Sequence, residues 1–275
     1  MKPIEKPYKA EWCNICNCDA WVTSYYFPEF SGRGSTFTNV SVVRCKQCGI
    51  RRRMPALADD YEEEYHAPYV QQGMAIHPHQ LAHFADLATA MLPRFGEKDI
   101  SFLDVGCSTG RALQLAKTIG MTVEGFDVSK WSAQHSAELG FKTHCAHSLV
   151  NVYAAESFDV VHCSHTIEHV ADPVRYIQEM YAILKRNGFL MLACPNYASL
   201  ERVIFGRKWG IWCLDSHLWQ FTKNQMVRLL KENGFTVWSS RTLHGRCPQS
   251  RWKKRLLDAG ALAGFSDGLN IIASK

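Results

Sequence analysis

From residue 98 to residue 275, short apolar runs alternate with amphipathic stretches, and this alternation constrains the fold more than any other feature of the sequence. Residues 100–105, 122–126 and 158–163 have the length and apolar character of buried strands. The amphipathic stretches between them end at glycines such as Gly120, as helices commonly do. Alternation of this kind predicts an α/β domain in which helices cover both faces of a mostly parallel sheet.

Turn residues predict where the next helix ends and where the following strand begins. Residues 173–184 predict a helix that has proline in its first turn and Asn187-Gly188 at its end. Residues 189–193 then predict the next strand. The segment that follows, residues 195–220, is long and rich in aromatic residues, and we expect it to form a lid over the substrate.

Composition divides the chain of 275 residues into two regions. Residues 1–70 hold five cysteines and many aromatic residues and predict a small β-rich module. Residues 71–275 predict the α/β domain, which begins with a helix over residues 74–92. The apolar fraction of 47% allows a well-buried core, and the charged fraction of 21% is ordinary for a soluble protein.

The sequence has neither the apolar stretch of a signal peptide nor the roughly 18 apolar residues that span a bilayer. We therefore expect a cytoplasmic protein without membrane contact. The net charge of +5 is concentrated at residues 51–53 and 246–255. Because basic runs usually serve solubility, a nucleic-acid partner is not expected. The oligomeric state is not predicted.

Two cysteine pairs, Cys13-x-x-Cys16 and Cys45-x-x-Cys48, stand 28 residues apart. In a reducing compartment such pairs are metal ligands more often than disulfides. Four thiolates suit a structural zinc ion and leave it no open position for catalysis. Three alternatives stay open: Cys18 in place of Cys16, an iron–sulfur cluster, or buried cysteines without a metal.

A glycine-containing turn, Asp104-Val-Gly-Cys-Ser-Thr-Gly110, joins the first strand of the α/β region to a helix. Glycine lets the backbone approach a ligand closely, and the helix N-terminus offers free N–H groups. Asp127 ends the second strand, where a carboxylate can accept hydrogen bonds from ribose hydroxyls. These features predict a site for an adenosine-containing cofactor. A nicotinamide dehydrogenase is disfavoured because its fingerprint, Gly-x-Gly-x-x-Gly, has three glycines, whereas this turn has only Gly106 and Gly110.

These segments resemble class I S-adenosylmethionine-dependent methyltransferases. Residues 103–110 and 125–129 resemble the first two motifs of that family, residues 158–173 its fourth-strand motif, and residues 184–190 the turn before its fifth strand. The cysteine module is similar to the ribbon that precedes glycan and natural-product tailoring members. The resemblance implies a Rossmann-like, seven-stranded, mostly parallel sheet behind a small β-rich zinc ribbon, with S-adenosyl-L-methionine as the cofactor.

The resemblance also implies which residues bind the cofactor. Asp104 and the turn would face its methionine end, Asp127 its ribose, and residues near 147 its adenine. The full implied set is Asp104, Gly106, Cys107, Ser108, Gly110, Asp127, Val128, His147, Ser148 and Ser164. The family often has glycine at position 108 and an acidic residue near position 147, and this sequence has neither.

Methyl transfer to a hydroxyl requires alignment of the acceptor and removal of its proton. The candidate bases are His165, Glu168, His169 and His217. The first three also resemble an acidic–histidine cluster that binds a metal in some quinone O-methyltransferases, with His165 in place of the first acidic residue. The aromatic residues of the predicted lid either stack on a ring or sugar acceptor or pack on the core.

The preferred hypothesis is methyl transfer to a small molecule, with a hydroxyl of a sugar nucleotide, glycan or natural-product intermediate as the acceptor. One alternative is an RNA or protein methyltransferase that docks through the ribbon and the basic runs. The other is a non-catalytic binding protein that retains the fold.

Overall fold

The computed structural model describes residues 12–31, 36–55, 78–91, 99–243 and 265–275. Its strands are β1 (Trp21–Ser31), β2 (Thr36–Cys45), β3 (Arg51–Met54), β4 (Ser101–Val105), β5 (Thr122–Asp127), β6 (Lys142–Cys145), β7 (Phe158–Ser164), β8 (Leu184–Pro195), β9 (Trp219–Gln220), β10 (Thr236–Leu243) and β11 (Gly268–Ser274). Its α-helices are α1 (Pro78–Met91), α2 (Arg111–Thr118), α3 (Lys130–Glu138), α4 (Pro173–Ile183), α5 (Leu200–Phe205) and α6 (Lys223–Glu232).

Seven strands form the central sheet in the order β10-β11-β8-β7-β4-β5-β6. The five strands from β8 to β6 in that order are parallel, whereas β11 runs antiparallel to β8 and β10 antiparallel to β11. The Rossmann-like, mostly parallel sheet expected from the sequence is therefore confirmed.

Successive side chains of the central strands point to opposite faces of the sheet and build two cores. Phe102 and Met191 pack on one face with residues of α1 and α2. Leu103 and Leu192 pack on the other face with residues of α4 and α6. Both faces are thus covered by helices, which explains why the strand sequences are apolar throughout.

The helix predicted for residues 173–184 is observed over Pro173–Ile183, but the start of the strand after it was predicted wrongly. The helix ends at Ile183, and Leu184 already pairs with Phe158 as the first residue of β8. Asn187 and Gly188 therefore lie inside β8, where the pairing with β7 is irregular between Phe158 and Val160. An Asn-Gly pair marks a turn or a bulge equally well, and here the apolar Leu184 is fully buried in the sheet.

The helix predicted for residues 74–92 is observed over Pro78–Met91, and residues 74–77 and 92 lie outside the described residues. The basic run at 246–255 lies outside them too. Among the described helices, none is long and apolar enough to cross a membrane.

A second, antiparallel sheet has the order β1-β2-β3-β9 and forms the β-rich N-terminal part of the chain. Its last strand, β9, comes from the segment expected to be a lid, and Trp219 pairs there with Arg52. Phe205 of that segment is exposed, whereas Tyr197, Trp209 and Trp212 are buried in one cluster with Phe27 of β1. The buried aromatic residues pack on a core and do not offer a surface for an acceptor. Of the two roles expected for them, packing on the core is the one observed, and stacking on a ring or sugar acceptor is not.

The irregular junction of β7 and β8 contains a carboxylate whose charge stabilises the fold. Asp159 accepts hydrogen bonds from the Ser101 N–H (3.0 Å), the Ser101 hydroxyl (2.6 Å) and the Lys185 ammonium (2.7 Å). Burial raises the pKa of Asp159, but Lys185 and Ser101 lower it more, so that the pKa lies below its ordinary value.

We expect Asp159→Asn to lower the free energy of unfolding at pH 7 by about 1–2 kcal/mol, a modest loss because Lys185 is partly exposed. The depressed pKa means that this stability is present above the unfolded-state pKa of about 3.9 and is lost as the pH falls through the lower folded-state value. Urea denaturation at several pH values checks this, with Glu232→Gln, a surface ion-pair variant, as control. A stability difference that does not shrink in acid contradicts the prediction.

Candidate active site

The turn after β4 is held in backbone conformations that favour glycine. Gly106 and Gly110 have φ values of 79° and 77°, and Ser108 between them has φ 46°. A side chain at Gly106 would overlap the Thr166 side chain, which belongs to the loop after β7. The Thr166 hydroxyl donates to the carbonyl of Val105 (3.1 Å). The loop after β7 therefore lies directly on the turn.

Asp127 faces this turn from the end of β5. Its carboxylate accepts from the backbone N–H of Ser108 (3.0 Å) and of Ser129 (2.9 Å). Burial raises the pKa of Asp127 and the charge of Asp104 adds to this, while the two N–H groups lower it, and the pKa remains above its ordinary value. The expected juxtaposition of turn and carboxylate is thus present in the structure.

The remaining residues implied for the cofactor lie in different environments. The side chain of Cys107 is buried in the core, which leaves only its backbone to face a ligand. Ser148 is buried, and its hydroxyl has no hydrogen-bond partner among the described residues, whereas His147 is exposed. Val128 and Ser164 are half-buried near the ends of β5 and β7.

Two supporting residues of the turn were missed by sequence reasoning. The hydroxyl of Ser136 on α3 donates to the carbonyl of Ser108 (3.1 Å). His162 of β7 lies with its Nδ1 2.7 Å from Oδ1 of Asp104. The signal for His162 was a polar residue that directly follows the apolar pair Val160-Val161 of a predicted buried strand, and a buried polar residue needs a partner.

Glu168 lies in the loop after β7, and its side chain is 1% exposed. Three imidazoles surround it: Oε1 lies 3.3 Å from His165 Nδ1, 3.9 Å from His169 Nε2 and 3.9 Å from His217 Nε2. Nδ1 of His169 contacts the carbonyl of Ser216 at 3.0 Å, and since a carbonyl only accepts, this nitrogen donates. The four candidate bases are therefore one cluster.

The cluster has a defined charge. Burial raises the pKa of Glu168, but the surrounding imidazoles lower it by a larger amount, and the resulting pKa is about 2. The carboxylate is therefore ionised at neutral pH. Removal from water lowers the pKa of His165, but Glu168 raises it more, and it ends above its ordinary value. The His165 side chain is 51% exposed, compared with 9% for His169 and for His217. Of the four, His165 is the one that a substrate can reach.

A small cavity of about 40 Å³ adjoins His165. Its lining combines Pro195, Ile211, Leu243 and Leu269 with the polar residues Asp267 and Asn270. At this volume the cavity is too small for an acceptor ring.

Among the residues that the structure describes, two groups have the spacing of metal ligands. Ligand atoms of Glu168, His169 and His217 lie within 4.8 Å of one another. The hydrogen bond from His169 Nδ1 to a carbonyl is also common for histidines that bind metals. The resemblance had put His165 in this group, and the structure puts His217 there instead.

The second group is Cys13, Cys16, Cys45 and Cys48. Two sulfur pairs, Cys13–Cys48 and Cys16–Cys45, lie 3.5 and 3.4 Å apart, near the roughly 3.8 Å of a tetrahedral zinc–thiolate site. The Cys13 thiol lowers the pKa of Cys48 to about 5. The sulfur of Cys18 instead accepts from the N–H of Ala20 (3.3 Å) and lies outside the group.

The cysteine module and the histidine cluster are joined through the backbone. The carbonyl of Glu168 accepts from the N–H groups of Leu218 and Trp219, both at 2.9 Å. Trp219 belongs to β9, which pairs with β3. His217 is thereby held beside Glu168 by a strand of the N-terminal sheet.

Comparison with known proteins assigns the family. A family model described as a methyltransferase domain matches residues 77–240. The chain belongs to this methyltransferase domain family. The match confirms the methyltransferase class expected from the motifs.

Curated relatives of the methyltransferase domain include ubiquinone biosynthesis O-methyltransferases. That of Parvibaculum lavamentivorans is 32% identical over 121 residues, which are 42% of this chain and 47% of the relative. That of Haemophilus ducreyi is 35% identical over 113 residues, 37% of this chain and 47% of the relative. The chain thus spans about half the length of the curated relatives it matches.

Solved structures share the fold. A methyltransferase from Archaeoglobus fulgidus has a TM-score of 0.56 and 18% identity, over 77% of this chain and all of that one. A chain from the complex of the Haloferax volcanii Trm112 methyltransferase activator with a methyltransferase has a TM-score of 0.59 and 14% identity, over 79% and 99%. At these identities the likeness concerns the fold alone.

Proposed function

We propose that this protein transfers a methyl group from S-adenosyl-L-methionine to a hydroxyl of a small-molecule acceptor. The observation that carries the proposal is the contact between the turn at Gly106 and the loop that bears His165 and Glu168. A methyl donor bound on the turn lies beside a histidine that can accept a proton. Alignment of donor, acceptor and base is the main requirement of this reaction.

The charges of the crevice suit this cofactor. Asp104 and Asp127 lie close enough for the charge of one to raise the pKa of the other. A ligand that carries a sulfonium and an ammonium group relieves this repulsion. The backbone turn and the carboxylate of Asp127 fit the ribose, as in other sites for adenosine-containing cofactors.

The cofactor, when bound, supplies an electrophilic methyl group on sulfur. Methyl transfer would release the hydroxyl proton of the acceptor, and neutral His165 would take that proton at Nε2, because Nδ1 faces Glu168. The ionised Glu168 then stabilises the imidazolium. His169 and His217 cover the carboxylate and exclude water from it.

We favour a natural-product intermediate with an apolar ring as the acceptor. The relatives are named for O-methylation in ubiquinone biosynthesis. Sugar nucleotides and glycans have less support, since Tyr197, Trp209, Trp212 and Trp219 of the segment after β8 are buried and unavailable for stacking.

Docking of RNA or protein on the basic run at 51–53 is also disfavoured. Arg52 and Arg53 are fully buried. The guanidinium of Arg52 lies over the ring of Trp21 (4.9 Å), and that of Arg53 donates to the carbonyl of Leu214. Neither side chain is available to a phosphate.

The four cysteines are proposed to bind a structural zinc ion. Four thiolates within 4.8 Å of one another repel, and a divalent cation offsets that repulsion. Backbone N–H groups support both pairs, with Cys16 donating to the carbonyl of Cys13 (3.2 Å) and Gly49 to that of Cys45 (3.1 Å).

The cofactor site is tested with Asp127→Asn. Charged hydrogen bonds are worth about 1.5–3 kcal/mol, so we expect the Kd for S-adenosylhomocysteine to rise about 10- to 100-fold. Isothermal titration calorimetry measures this, with Glu138→Gln, an exposed carboxylate on α3, as the control. If the unmodified protein binds neither S-adenosylhomocysteine nor S-adenosylmethionine, the proposed function is wrong.

The base is tested with His165→Asn, which should lower kcat about 10²- to 10⁴-fold and leave cofactor affinity unchanged. Because Glu168 raises the pKa of His165, Glu168→Gln should move the acidic limb of the kcat–pH profile to lower pH. Labelled-methyl transfer to a phenolic acceptor, compared with a sugar nucleotide, gives both rates.

The competing role for the cluster is a divalent cation on Glu168, His169 and His217. That role predicts activity that is lost on mild chelation and restored by a divalent salt while the cysteines remain metal-bound. Such a result, together with a normal rate for His165→Asn, would remove His165 from the mechanism.

The zinc site is tested with Cys13→Ser/Cys48→Ser, for which we expect metal content to fall from about one zinc per chain to none. Strand β3 pairs with β9, and β9 positions His217 beside Glu168. The same variant should therefore have a lower kcat, while its affinity for S-adenosylhomocysteine is unchanged. Cys18→Ser is the matched control and should keep its zinc. Loss of metal from Cys18→Ser instead contradicts the assignment.

A further inference from the structure

The carboxylate of Asp104 is held by a buried histidine. Nδ1 of His162 lies 2.7 Å from Asp104 Oδ1, and each side chain is 5% exposed. The two residues are register partners on the parallel neighbours β4 and β7. Because an ionised carboxylate only accepts, the imidazole donates from Nδ1.

The imidazole of His162 is fixed by its neighbours. It stacks on Phe102 (5.9 Å between ring centroids, 25° between planes) and contacts Phe84 (6.0 Å) and His83 (5.9 Å) of α1. Nε2 of His83 lies 3.2 Å from the carbonyl of Ile271, which ties α1 to β11. Helix α1 therefore packs on the donor to Asp104.

This contact leaves one oxygen of Asp104 available. Oδ1 is occupied by His162, while Oδ2 accepts no hydrogen bond from the residues that the structure describes. Asp104 is two residues before Gly106, on the strand that leads into the turn. A carboxylate fixed at one oxygen presents the other in a single direction, at no ordering cost when a ligand binds.

We propose that His162 is a positioning residue for the cofactor. It holds Asp104 so that Oδ2 receives the ammonium group of the methionine part, and it has no contact with the ligand itself. The inference rests on the proposed function and adds to it a residue that fixes affinity for the amino-acid end of the ligand.

A purely structural role for His162 makes a different prediction. If the imidazole only fills the core, its replacement weakens every ligand alike or lowers stability without changing affinity. If it orients Asp104, the loss is confined to ligands that carry the amino-acid group. S-adenosylhomocysteine has that group, whereas 5′-methylthioadenosine retains the adenosine and the sulfur but lacks it.

The experiment compares the two ligands by calorimetry for the unmodified protein and for His162→Phe. We expect the Kd for S-adenosylhomocysteine to rise about tenfold and that for 5′-methylthioadenosine to stay within about twofold. His162→Asn should recover most of the affinity, because its amide nitrogen sits where Nδ1 does and can donate. His83→Phe is the matched control, since it alters the same aromatic cluster without touching Asp104, and it should leave both Kd values unchanged.

A double-mutant cycle covers the case in which His162→Phe fails to fold. In an Asp104→Asn background, His162→Asn and His162→Met should no longer change the affinity for S-adenosylhomocysteine, whereas in the native background His162→Met weakens it. Equal weakening of both ligands, no weakening, or additive effects in the cycle would overturn the inference. If Asp127→Asn still weakens binding in that case, the proposed function stands without it.

Discussion

The absence of a side chain at Gly106 is the constraint on which the proposed site depends. Because no Cβ intervenes, the Thr166 side chain lies against the turn and its hydroxyl binds the carbonyl of Val105. The ends of β4 and β7 are thus joined at one point, with Asp127 on one side and Glu168 on the other. A larger residue at position 106 separates the cofactor turn from the base loop, and the two halves of the chemistry then lose their alignment.

Burial of charge explains why the N-terminal sheet is part of the same unit. Glu168 is an anion in the interior, and three imidazoles offset the cost of burying its carboxylate. Its backbone carbonyl accepts from two N–H groups of the segment that becomes β9. That segment is fixed because Trp219 pairs with Arg52, whose own guanidinium is buried over an aromatic ring. The cysteine group includes Cys45 at the end of β2, so the proposed metal there would stabilise the positions of groups far from it in sequence.

Local patterns in the sequence predicted the central strands, the glycine turn and the place of Asp127, because each depends on neighbouring residues alone. The start of β8 was predicted at residue 189 and not at Leu184, because an Asn-Gly pair has the same local signature in a turn and in a bulge. The approach of His217 to Glu168 could not be foreseen either, since it depends on a strand pairing between residues 52 and 219. Aromatic composition likewise cannot tell a packed Trp212 from one that stacks on a ligand; only the partner surface on β1 decides that.

Because β7 is pleated, its successive side chains point to opposite faces of the sheet and contact different parts of the proposed site. His162 faces the core shared with α1 and pairs with Asp104, while Cys163 faces the opposite core, near Glu168. In the proposed mechanism, the pair that binds the amino-acid end of the cofactor therefore lies on one side of β7, and the loop groups that take the acceptor's proton lie on the other. The His162–Asp104 pair and the His165–Glu168 pair have no residue in common. Substitutions in the two pairs should therefore change binding and rate independently, and loss of one pair should leave the geometry of the other intact.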